Sequence, residues 1–155
     1  MKQSELAAKG FAGFRQIEDI CSDGGVDGVP VKAGVYAVLR AEVGEPIFLQ
    51  SNCGGHFKGQ EPTVPIEELK GEWVEGPDLL YLGRSNNLRR RIGQLCKFSQ
   101  GEPVGHWGGR YLWQLAGHDE LIVAWLTTKE YNQRYDQLMR EFRQDFDSSP
   151  FANLR

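Results

Sequence analysis

The chain has 155 residues, 40% hydrophobic and 25% charged, with a net charge of -3. That is one domain's length with enough apolar content to bury a core, and no apolar run approaches the roughly 20 residues that span a bilayer. The acidic total excludes a protein that coats nucleic acid indiscriminately, but not one that touches a few phosphates at a local basic patch.

Residues 1–20 mix charged and apolar side chains and lack the apolar core of a secretory signal. Leu6, Phe11, Phe14 and Ile17 have roughly helical spacing, interrupted by Gly10 and Gly13. Turn chemistry at 22–30 closes this N-terminal extension, residues 1–30, which is expected to pack on the domain that follows, residues 31–155. Residues 33–40 are rich in β-branched and aromatic side chains and predict an interior strand. Residues 41–78 read as an irregular insert. Within it Ile47, Phe48 and Leu49 suit a short strand, residues 66–69 a helical turn, and Trp73 and Val74 a return to the core.

Residues 79–83 predict the second strand, and Ser85 or Asn86 suits the N-cap of the helix after it. Leu88, Ile92, Leu95 and Cys96 form that helix's buried stripe, with Arg91 at its edge and Arg89 and Arg90 outward. Between 79 and 101 stand Arg84, Arg89, Arg90, Arg91 and Lys97 and no acidic residue. Residues 101–109 form a loop holding His106, Trp107, Gly108 and Gly109, and 110–115 suit a short helix. Residues 121–126 predict a third strand and 129–147 a last helix, striped by Leu138, Phe142 and Phe146. The expected fold is α/β of the α+β type: a small, three-stranded, mainly antiparallel sheet flanked by helices, with a long insert between its first two strands.

The three cysteines, Cys21, Cys53 and Cys96, form no CxxC pair. A disulfide framework or zinc knuckle is not expected, and a reducing cytoplasm is. His56, His106 and His118 show no zinc-binding spacing.

Gly34-Val35-Tyr36 and Tyr81-Leu82-Gly83 resemble the two halves of a GIY-YIG nuclease domain. Ser85, Leu88 and Arg91 match the continuation of the second half. Glu141, Pro150 and Asn153 match the family's late glutamate and its downstream Pro and Asn. The resemblance covers roughly 31–155. Three departures stand out: the insert of nearly forty residues between the strands, Leu95, where a His or Tyr is common, and Gln144 and Asp145, where Leu and Ile usually follow the glutamate.

The resemblance implies a metal-dependent endonuclease hydrolysing DNA phosphodiester bonds. Its catalytic residues would be Tyr36, Tyr81, Arg91 and Glu141. Glu141 would hold Mg²⁺ or Mn²⁺, which keeps several waters and needs few carboxylates. Arg91 offers a planar charged fork to a phosphate oxygen. Tyr36 is the implied base. An ordinary tyrosine titrates near 10, so it needs a lowered pKa, which Arg91, Arg84 or the metal would supply. Asn153 would hold the tail against the site. Substrate contacts are expected from Gly34, Gly83, Arg84, Arg89, Arg90, Lys97, His106 and Arg110, with Lys58 and the amides of Gly108 and Gly109 as further candidates. Gly34 and Gly83 equally suit close packing. The alternative, which Leu95 supports, is a weakly active or non-catalytic nucleic-acid-binding module on the same scaffold. A hydrolase centred on Cys53 beside His56 is the more distant reading, because no orienting acid stands nearby in sequence.

Overall fold

The computed structural model describes residues 1–154. Four strands, β1 (Ala12–Gln16), β2 (Gly34–Leu39), β3 (Leu79–Ser85) and β4 (Ile122–Thr127), make one antiparallel sheet in the order β1-β4-β2-β3. Five α-helices accompany it: α1 (Gln3–Ala8), α2 (Ile17–Cys21), α3 (Ile66–Glu72), α4 (Leu88–Ser99) and α5 (Tyr131–Phe146). The α+β class stands, and the sheet has a fourth strand that helical spacing in the N-terminal extension concealed. Gly10 and Gly13 take positive φ, as does Phe14 at 53°. A helix cannot continue through such residues, and the chain instead pairs Ala12 with Trp125, with a bulge between Gly13 and Arg15.

β2 is buried at every residue, as its continuous apolar sequence requires. Strand alternation sends its side chains to two separate cores. Tyr36 and Val38 join Leu88, Ile92 and Leu95 of α4 in one. Val35, Ala37 and Leu39 join Leu6 of α1 and Leu138, Met139 and Phe142 of α5 in the other. The sheet is thus the middle of three layers, and everything about the site depends on which layer a side chain enters.

Local boundaries shift for identifiable reasons. β3 runs through Ser85, so the N-cap of α4 is Asn87, whose side chain accepts a hydrogen bond from the Arg90 amide at 3.1 Å, rather than Ser85 or Asn86. The residues expected as a strand at 47–49 make only a bridge between Phe48 and Leu115. The insert is stitched to the domain by the buried Gln114, which donates to Leu49 O and Val64 O and accepts from the Val64 amide. Residues 107–114 form a 3-10 segment.

The expectation that no disulfide forms is corrected. Cys21 at the end of α2 and Cys96 on α4 are bonded, with Cα atoms 5.3 Å apart. Sequence spacing hides this, since the partners are 75 residues apart and meet only because the two helices pack together. No described helix is long and apolar enough to cross a membrane.

Candidate functional site

β2 and β3 pair so that Tyr36 lies opposite Gly83. A Cβ at Gly83 would sit 2.2 Å from Tyr36 Cζ, so the absent side chain is the space the phenol occupies. Gly34 is likewise pressed on the chain, with a Cβ there falling 2.2 Å from Leu126 O. Tyr36 and Tyr81 rings lie 5.9 Å apart, and His106 lies 6.2 and 5.6 Å from them. Tyr36 Oη and His106 Nε2 share a hydrogen bond of 2.8 Å. Both residues are fully enclosed, and Tyr81 is 8% exposed.

Arg91 leans toward this group from α4. Its Nη1 donates to Gln94 Oε1 at 2.9 Å and to the carbonyl oxygen of Gly105. The loop at 101–109 therefore covers the cluster twice over: His106 caps the Tyr36 hydroxyl, and Gly105 occupies the arginine. Gly109 lets it come close, since a Cβ there would meet His106 Nδ1 at 3.0 Å.

Burial decides the protonation states. It lowers the His106 imidazole to about 3, with Arg91's charge acting in the same direction, so the ring is neutral. Its Nδ1 has no partner, a buried polar atom left unsatisfied. Burial, and then Tyr81, push the Tyr36 phenol well above its usual 10, against Arg91's smaller downward pull. The expected lowering is corrected here: one guanidinium that is also bonded to a carbonyl does not offset complete desolvation. Burial raises Tyr81 as well.

The other expected residues are divided between layers and edges. Glu141 belongs to α5, across the sheet from Tyr36, where it accepts from Lys9 Nζ at 2.8 Å and from Gln137 Nε2 at 3.3 Å. Arg84 turns toward α5, stacking over Tyr135 at 4.5 Å and pairing with Asp136 at 3.6 Å. Asn153 bridges the outer edge of β3, accepting from the Leu82 amide and donating to the Leu82 carbonyl, each at 2.9 Å. Arg89 is held by the carbonyls of Val29 and Asp27, and Arg90 donates to Asn86 Oδ1 at 2.6 Å. Lys97 is exposed. Arg110 stacks on Trp107 at 4.5 Å beside a cavity of about 500 Å³ that Glu68, Glu72, Tyr111 and Asn153 also line. Tyr111 donates to Glu68 there at 3.1 Å.

The neutral His106–Tyr36 pair is the feature that sequence reasoning placed least well. His106 stood out only as a loop residue able to touch substrate, and nothing in its spacing points to Tyr36, seventy residues earlier.

Comparison of the chain with protein-family models, with curated proteins and with solved structures finds no match.

The divalent metal that the resemblance implies does not fit Glu141. Its carboxylate is engaged by an ammonium group and lies on the far face of the sheet from Arg91 and the tyrosines. Among the described residues no three His, Cys, Asp or Glu side chains converge as a metal site.

Proposed function

We propose that the protein acts on the phosphodiester backbone of DNA at the Tyr36–Tyr81–His106–Arg91 cluster, as an endonuclease. The observation that carries this reading is the buried hydrogen bond between Tyr36 and a neutral imidazole, with a guanidinium beside it. Those groups supply a proton acceptor, a relay and a counter-charge, which phosphodiester hydrolysis needs. A phosphate oxygen displaces the Gly105 carbonyl from Arg91, because a charged acceptor outbids a neutral one. The Gly105 carbonyl moves aside as it enters, while His106 keeps its hydrogen bond to Tyr36. Tyr36 then passes a proton from the attacking water to His106 Nε2, Arg91 holds the non-bridging oxygen, and the P–O bond opposite the water breaks, its leaving oxygen taking up the proton returned by His106. Glu141 takes no part in these steps.

A second reading, a DNA-binding module without cleavage, is favoured by the engagement of Glu141 with Lys9 on the other face. One experiment separates the two. Supercoiled plasmid is incubated with the protein, with and without Mg²⁺ or Mn²⁺. Nicking that is lost in Arg91→Ala and Tyr36→Phe but kept in Glu141→Ala supports the site as placed here. Nicking lost in Glu141→Ala overturns the placement. DNA retention that Arg91→Ala weakens, with no nicking under any condition, supports the binding module.

A further inference from the structure

The three cysteines converge on one end of α4. Cys21 and Cys96 are bonded to each other there. Cys53 arrives from the insert, and its Sγ lies 3.4 Å from the carbonyl oxygen of Ser99, three residues beyond Cys96. The same Sγ lies 3.7 Å from His118 Nε2. The other ring nitrogen, His118 Nδ1, lies 3.8 Å from Asp119 Oδ1. The thiol proton therefore has an imidazole within reach, with a carboxylate behind it. The Trp113 ring stands edge-on to His118 at 5.8 Å. Cys21, Ser99, Trp113, His118 and Asp119 border one solvent-open cavity of about 370 Å³.

A free thiol with a base beside it, and a disulfide, are the components of thiol–disulfide exchange. Here the free thiol is exposed, so a reacting partner is not screened from it. We propose that this cluster is a thiol–disulfide exchange site, in which Cys53 is the attacking thiol, His118 its base and the Cys21–Cys96 bond the internal substrate. The Cys53 proton passes to His118 Nε2. The resulting thiolate attacks Cys96 Sγ, the Cys21–Cys96 bond breaks and a Cys53–Cys96 bond forms. Cys21 leaves as a thiolate and takes the proton back from His118. One disulfide and one thiol enter and leave, so no oxidant or reductant is consumed. The exchange moves the covalent tie of α4 from α2 to the insert. Desolvation on its inner side raises the Cys53 thiol above its usual pKa while its outer side stays exposed, so the thiolate forms only as the imidazole takes the proton.

The test is disulfide mapping. The full chain is equilibrated in glutathione redox buffers, quenched with acid, alkylated, and its peptides identified without reduction. A Cys53–Cys96 peptide with alkylated Cys21 is expected beside the Cys21–Cys96 peptide. It is absent from Cys53→Ser, an exposed substitution that spares the core, and in His118→Ala it forms at least roughly tenfold more slowly. In Cys21→Ser, oxidation closes a Cys53–Cys96 bond. The proposal is overturned if Cys53 is fully alkylated with Cys21–Cys96 intact in every buffer, or if Cys53 gains only glutathione. It is equally overturned if oxidised Cys21→Ser keeps both thiols free, or if His118→Ala exchanges at the parent rate. None of these outcomes depends on the phosphodiester reading.

Discussion

Gly83 has no side chain because the Tyr36 ring passes where one would be. An alanine there has two ways out, moving a fully buried phenol that is tied to His106 or opening the β2–β3 pair. Overpacking of this kind costs about 1–3 kcal/mol. Urea unfolding of Gly83→Ala should show a loss in that range, and a neutral result would mean the ring has room to move. The neutral His106 has a consequence for pH. In the unfolded chain its imidazole titrates near 6.5, and in the folded protein near 3. Between those values the unfolded chain binds the extra proton, so stability falls as pH drops through that window. His106→Asn removes this titration. Its stability, measured by urea unfolding at pH 7, 5 and 4, should fall less steeply than that of the parent.

Element edges explain what was legible in the sequence and what was not. Tyr36, Tyr81 and Arg91 were singled out by the resemblance, on elements that the sequence pattern predicts, two apolar strands and the rim of a helical stripe, and the structure brings them together. Glu141 shows the limit. Its neighbour Phe142 marks the buried side of α5, yet periodicity gives the phase of a helix and not the face of the sheet it covers. β1 was hidden for a related reason. Its five residues, three exposed and two half-buried, with a bulge among them, carry no alternation to read. At the opposite edge, Asn153 takes the place of a missing strand. It satisfies both backbone groups of Leu82, while the Ala152 amide donates to Leu80 O at 2.8 Å. Asn153→Ala leaves that donor and acceptor without protein partners at an edge otherwise open to pairing. A loss of about 1–2 kcal/mol is expected, with faster hydrogen exchange confined to the Leu82 amide and the tail. Global acceleration instead would show that the tail holds the whole sheet.

At the scale of the molecule, charge limits how it can meet DNA. The net charge is -3, and Arg84, Arg89 and Arg90 are each bound to groups of the protein itself. Of the five cations at 79–101 these three are engaged, so binding through that patch should be weak and governed by a small number of contacts. Each phosphate neutralised contributes roughly 0.9 to the slope of log affinity against log salt. Arg91→Ala should reduce that slope by about one in a titration of a short duplex. An unchanged slope would place Arg91 outside the interface.

The pairing of Ala12 with Trp125 joins the two ends of the chain within one sheet. During synthesis β1 waits, unpaired, until more than a hundred further residues have left the ribosome. Of the four strands of this sheet, the one made first is therefore among the last to be placed. Such non-local pairing has a large loop-closure cost ahead of its reward. The strand β1 should acquire exchange protection only once β4 has joined β2.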